Sequence, residues 1–210
     1  MENILILSPH TDDGELGCGG TISKLIREGK NILWLAFSTA SESLPPHMPS
    51  DTLKIEFTNV ARSLGLKDHQ FKTYDYKVRK LHESRQEILE ELVKIRSEFN
   101  PDLVIGPSLN DHHQDHEVIA NEMIRAFKTS ASIISYELPW NHLNFSTQFF
   151  VELTEEDLES KKQMLAHYKS QLIVERHYFT KEFVEGIART RGTQINTKYA
   201  EAFEVIRWRF

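Results

Sequence analysis

Two short stretches of the chain concentrate side chains that can hold a divalent ion and move protons. In Ser8-Pro9-His10-Thr11-Asp12-Asp13-Gly14, one imidazole and two carboxylates fall within four residues. Imidazole suits borderline ions such as zinc, and carboxylates suit harder ones. The spacing lets His10 and Asp13 face one point while Asp12 stays free beside it. A ligand pair with a spare base is what a metal hydrolase needs. The second stretch, Asn110-Asp111-His112-His113-Gln114-Asp115-His116, brings three further imidazoles. If His116 completes a set with His10 and Asp13, three protein ligands leave a fourth position open, which marks a catalytic rather than a structural zinc site. Taken singly, Asp12-Asp13 also reads as a turn or helix cap, and His112 and His113 as solvated loop residues.

Positioning these residues falls to a run of alternating strands and helices. Ile4-Leu5-Ile6-Leu7 is short, apolar and partly β-branched, as a strand buried on both faces requires. A Gly-bearing turn follows. Thr21 to Glu28 then has apolar residues at 22, 25 and 26 and Gly29 where a helix C-cap belongs. Ile32 to Phe37 is a second strand, so the first forty residues spell a βαβ unit. The pattern continues with a Pro-rich loop, a helix over about 51 to 64, a strand near 69 to 73 and a helix from Leu81 to Phe99 stopped by Asn100-Pro101. Leu103-Val104-Ile105 is the next strand, then a helix over about 117 to 128 and a strand at Ser132 to Tyr136. Phe149 to Val151 forms a strand, Thr154 caps a helix through its acidic first turn, and Phe203 to Trp208 alternates as a late strand does. Both chemical stretches therefore leave carboxyl ends of strands, the edge where open α/β sheets bind ligands. The predicted fold is α/β: a Rossmann-like three-layer arrangement with a mostly parallel central sheet in a single domain over 1–210.

Composition narrows the functions. The 210 residues carry a formal charge of -6, which gives no general attraction to nucleic acid or anionic lipid. A hydrophobic content of 40% supports a packed core and excludes a largely disordered chain. No apolar run approaches the ~20 residues of a membrane span. The single cysteine, Cys18, excludes an intrachain disulfide and reads as a packing residue rather than a nucleophile. With no basic leader segment before the first apolar run, the chain is expected to be cytoplasmic. Gly17-x-Gly19-Gly20 does not match the dinucleotide fingerprint, and the second strand ends in Ser38-Thr39 with no acid for a ribose.

Taken together, His10-x-Asp12-Asp13 after the first strand, the Gly-Gly turn and His113-x-Asp115-His116 after a later strand resemble the PIG-L/LmbE-like family of zinc-dependent N-deacetylases. Thr11 and Gln114 stand where that family's motifs usually have proline, a change in loop stiffness rather than in ligands. Leu64-Gly65, Asn100-Pro101-Asp102-Leu103-Val104, His167-x-x-Ser170-Gln171, and Arg191-Gly192 followed by Tyr199-Ala200-Glu201-Ala202-Phe203 resemble its later blocks, so the likeness runs along nearly the whole chain. The resemblance implies that His10, Asp13 and His116 bind Zn2+, with Fe2+ also accepted by such a donor set. It implies Asp12 as general base, His113 as the polarising or acid group opposite, and Asp115 as the carboxylate that orients His113. His112 is off register and stays a loop residue. Arg191, His167 and Gln171 read as scaffold contacts.

By the same resemblance the substrate is a small-molecule N-acetylated amino sugar of the N-acetylglucosamine type, or its glycoconjugate, whose acetyl group is removed by water. The loop from about 38 to 50 and the segment Glu137 to His142, with Trp140, are the candidate sugar-binding stretches. A metal-dependent amide or ester hydrolase with a non-sugar substrate, and a silent binding module of the same fold, stay as alternatives.

Overall fold

Short apolar runs with side chains alternating between two faces can be buried only inside a layered structure, and the chain builds one. The computed structural model describes residues 1–209; the last residue of the expected 1–210 domain lies outside them. Strands β1 (Asn3–His10), β2 (Asn31–Ser38), β3 (Phe71–Thr73), β4 (Leu103–Pro107), β5 (Ser132–Tyr136), β6 (Phe149–Glu152) and β7 (Ala200–Arg207) form one sheet in the order β3-β2-β1-β4-β5-β7-β6. Neighbours from β3 to β5 are parallel, and β7 runs antiparallel to both β5 and β6.

The two faces carry separate cores. Ile4, Ile6, Trp34, Ile105 and Tyr136 point to one side, against α1 (Asp13–Arg27), α2 (Thr52–Ser63), α5 (Glu155–Ala166) and α7 (Lys181–Gln194). Leu5, Leu7, Leu35, Phe37, Val104 and Ile133 point to the other, against α3 (Arg85–Glu98) and α4 (Gln114–Phe127). A short helix α6 (Lys169–Ile173) follows α5. Each fully buried aliphatic or aromatic side chain contributes about 1.5–3 kcal/mol, so this alternation is the main source of cohesion. Among the described residues no helix is long and apolar enough to cross a membrane.

One local expectation changes. The glycine-bearing turn after β1 is helical: α1 begins at Asp13 and runs through the glycines with a kink at Cys18. Glycine disfavours helix on propensity alone, but here the helix must lie tight on the sheet. A Cβ at Gly17 would stand 2.4 Å from Cδ2 of Tyr136, and one at Gly20 2.5 Å from Cδ1 of Leu153. The predicted helix from Leu81 starts later, as a 3-10 turn over Leu81–Ser84 leads into α3. Thr154 caps α5 as expected, in a reciprocal capping box with Asp157.

Candidate metal centre and cleft

The sheet order turns at β1 and β4: the chain winds outward from β1 to β2 and β3, then returns to place β4 on the other side of β1. A crevice opens at such a point beyond the carboxyl ends of the strands. His10 is the last residue of β1 and Asp13 the first of α1. His113 is the N-cap of α4, and His116 lies in its first turn. The two stretches, a hundred residues apart in sequence, thus meet at one edge.

Three donor atoms form a near-equilateral triangle. Nδ1 of His10 and Nε2 of His116 each lie 3.1 Å from Oδ2 of Asp13, and 3.2 Å from one another. Ligands around a tetrahedral zinc at about 2.0–2.1 Å sit about 3.4 Å apart, so the donor set fits a divalent ion in both chemistry and spacing. Ring nitrogens of His10, His113 and His116 also fall within 4.8 Å of one another. The triangle with the carboxylate is the tighter of the two groupings, and His113 stands outside it.

Each histidine of the triangle rests on a buried carboxylate through its other nitrogen. Nε2 of His10 is 3.0 Å from Oδ2 of Asp115, and Nδ1 of His116 is 2.6 Å from Oδ2 of Asp111. Such partners fix the tautomer and ring orientation of metal-binding histidines. Asp115 is itself held by the backbone N–H groups of Arg79 and Leu81, and Arg79 adopts the left-handed region (φ 66°) in doing so. This places Asp115 differently from the sequence expectation. Its carboxylate serves His10, not His113, and only its backbone N–H reaches His113, donating to Nδ1 at 3.2 Å. The cause is helical geometry: at the start of α4 residues two apart project to different sides, and the Asp115 carboxylate turns to the 79–81 segment. With Nδ1 accepting, the hydrogen-bond network assigns the neutral His113 ring its proton at Nε2.

The electrostatics follow from this packing. Burial opposes charge on His10 and His116, but the Asp13 carboxylate and their own carboxylate partners override it and raise them to about 9 and about 10. The same two imidazoles hold Asp13 far below the usual carboxylate range against its burial. Burial and then the Asp13 charge push Asp12 up to about 6. Burial, with His116 and His10 adding to it, lowers His113 to about 4. A carboxylate near 6 and a neutral imidazole in one cleft are suited to accept a proton and to donate a hydrogen bond at neutral pH.

The triangle forms the floor of a cleft of about 340 Å³. Ala40 and Ser43 from the loop after β2 and Trp140 and Asn141 from the loop after β5 line it, as do Gln171, Arg176 and Tyr178. Trp140 is part exposed and stacks on Tyr178 with centroids 3.9 Å apart. Arg191 donates to Glu137 and so braces the loop after β5 from outside the cleft. Asp111, Arg176 and Tyr178 escaped the sequence reading. Asp111 had a signal in its neighbourhood to His113, whereas nothing in the sequence ties residues 176 and 178 to residue 12.

Comparison with known proteins places this geometry. The uncharacterized deacetylase YaiS of Escherichia coli K12 is 26% identical over 174 residues, 80% of this chain and 91% of that protein. Among solved structures, the N,N'-diacetylchitobiose deacetylase of Pyrococcus horikoshii superposes with a TM-score of 0.74 at 23% identity, covering 98% of this chain and 84% of that one. GalB, the 4-carboxy-2-hydroxymuconate hydratase of Pseudomonas putida KT2440, superposes at 0.79 and 18% identity over 100% and 98%. These likenesses establish a shared fold, and a fold alone does not select a reaction. The family profile described as PIG-L, GlcNAc-PI de-N-acetylase, matches residues 5–127 and spans both histidine-bearing stretches, so the chain belongs to the PIG-L family.

Proposed function

We propose that this protein is a metal-dependent N-deacetylase that hydrolyses the acetamide of an N-acetylated amino sugar or its conjugate. The observation that carries the reading is the triangle of His10, Asp13 and His116 on the cleft floor, with the free carboxylate of Asp12 next in sequence. The family assignment and the deacetylase name carried by YaiS support the reaction class. The chitobiose deacetylase on the same fold supports an acetamido sugar as substrate.

His10, Asp13 and His116 would hold a zinc or ferrous ion, whose Lewis acidity polarises a carbonyl and lowers the pKa of water from about 15.7 toward about 7. Asp12 takes the proton of the attacking water as the new C–O bond forms at the acetyl carbon. The Nε2–H of His113 donates to the oxygen that gains negative charge, a contribution of about 3–4 kcal/mol for a well-placed donor. As the C–N bond breaks, the proton held by Asp12 passes to the departing amine, leaving acetate and the free amino compound. Asp115 and Asp111 act through the histidines they orient.

The test is acetate release from N-acetylglucosamine glycosides, with metal content measured on the same samples. Asp12→Asn retains the metal and loses about a hundredfold or more in kcat. An Asp12→Asn protein as active as wild type removes the base assignment.

A further inference from the structure

One cation in the cleft is not used by the chemistry above. Arg176 is the only lysine or arginine among the cleft-lining residues, where it faces Asp12, Asp13 and the histidines. Among the described residues no carboxylate lies within ion-pair distance of it, although its charge acts on Asp12 in the same cleft. Its Nε donates to Oε1 of Gln171 at 3.0 Å and the guanidinium also meets the Tyr178 hydroxyl, which still leaves N–H groups of the five-donor fork open to the cleft. The support behind that bond is built. Gln171 is 5% exposed, its Nε2 donates to Oγ of Ser170 at 3.3 Å, and Ser170 donates to Oε2 of Glu56 at 2.6 Å. Glu175, the residue before, takes the left-handed conformation (φ 54°) that closes α6. The guanidinium carbon lies 5.9 Å from the Tyr178 ring, which in turn stacks on Trp140. Arg176 is therefore positioned by Gln171 and by Tyr178 of the aromatic wall, with part of its fork still open.

A planar fork with open N–H groups matches a carboxylate or phosphate in a two-pronged geometry. We propose that Arg176, held by Gln171, is a specificity residue that binds an anionic group, so that the substrate is an acetamido compound carrying a carboxylate or phosphate on its amine-side moiety. This rests on the deacetylase reading. In the bound substrate the acetamide is neutral, so an anion recognised before reaction belongs to the part that leaves as the amine.

The experiment compares three N-acetylglucosamine derivatives in acetate release by the metal-loaded enzyme: the neutral O1-methyl glycoside, an O1-phosphate and an O1-linked carboxymethyl glycoside. Wild type is expected to favour at least one anionic compound over the neutral one by about tenfold or more in kcat/KM, carried in KM and shrinking with added salt. A preference confined to phosphate or to carboxylate supports the site and names its anion. Arg176→Gln brings the ratio to within about twofold, and Arg176→Lys, which keeps the charge but not the fork, retains part of it. A preference that survives in Arg176→Gln shows that another group takes the anion and overturns the inference. Equal use of all three compounds by wild type overturns it while leaving the sugar reading intact. Turnover of none of them overturns the sugar reading and this inference with it.

Discussion

Asp111 offers the sharpest test of how the ligand set is held. It is 4% exposed, and its two oxygens do separate work: Oδ1 accepts the His113 backbone N–H at 2.8 Å, and Oδ2 meets His116 Nδ1 at 2.6 Å and Asn141 Nδ2 at 3.3 Å. Asp111→Asn preserves volume and can preserve the Oδ1 contact, so the turn into α4 survives. What changes is the group facing His116. An amide Nδ2 there confronts the Nδ1–H, and the imidazole must either lose that bond or move its proton to Nε2, the nitrogen that belongs to the ligand triangle. Loss of such a carboxylate partner costs about 10–100-fold in metal affinity, or about 1.4–2.7 kcal/mol at 1.36 kcal/mol per decade. Competition against a chromophoric chelator measures the affinity, and far-ultraviolet circular dichroism of the same samples monitors the fold. A folded Asp111→Asn protein that binds zinc within about twofold of wild type refutes the reasoning.

The pH dependence has a definite sign. In the metal-free protein His10 and His116 are raised to about 9 and about 10, above the ~6.5 of an unfolded imidazole. Their contribution to stability is complete below pH ~6.5 and is lost as pH rises through these folded values. The metal-free Tm therefore falls between pH 7 and 10. Metal binding must displace these protons and tightens over the same range, so the gap in Tm between loaded and metal-free protein widens from pH 6 to 9; a gap that narrows contradicts the ligand assignment. Away from the site, Lys161 Nζ meets Glu201 Oε1 at 2.6 Å with both side chains buried, while Glu201 also accepts the N–H groups of Gly20 and Thr21. Lys161→Met strands that carboxylate and costs about 3–5 kcal/mol, which lowers Tm by about 10 °C for a chain of this size. A single-variant shift below about 2 °C in calorimetry contradicts the account.

Much of this was legible because the signals are local. Ile4 to Leu7 and Leu103 to Ile105 announce buried strands by composition, and each is followed at once by its ligand-bearing stretch. The start of α1 was hidden because four glycines within seven residues oppose helix in isolation. Only the approach of Gly17 to Tyr136 and Gly20 to Leu153 shows why the helix needs them. The pairing of Asp115 is not legible locally: it stands two residues from His113, whereas the first turn of α4 directs its carboxylate across to His10. Arg176 and Tyr178 lie beyond α6, in a segment with no periodicity or motif. They reach the cleft through tertiary packing alone.

The central claim is that His10, Asp13 and His116 form a metal site. Elemental mass spectrometry of protein purified without chelator, with His116→Ala prepared in parallel, tests it most directly. About one zinc or iron per chain in the wild type, lost in the variant, is the predicted result. Wild-type protein that takes up no metal even on reconstitution, or a His116→Ala protein that keeps a full equivalent, contradicts the account.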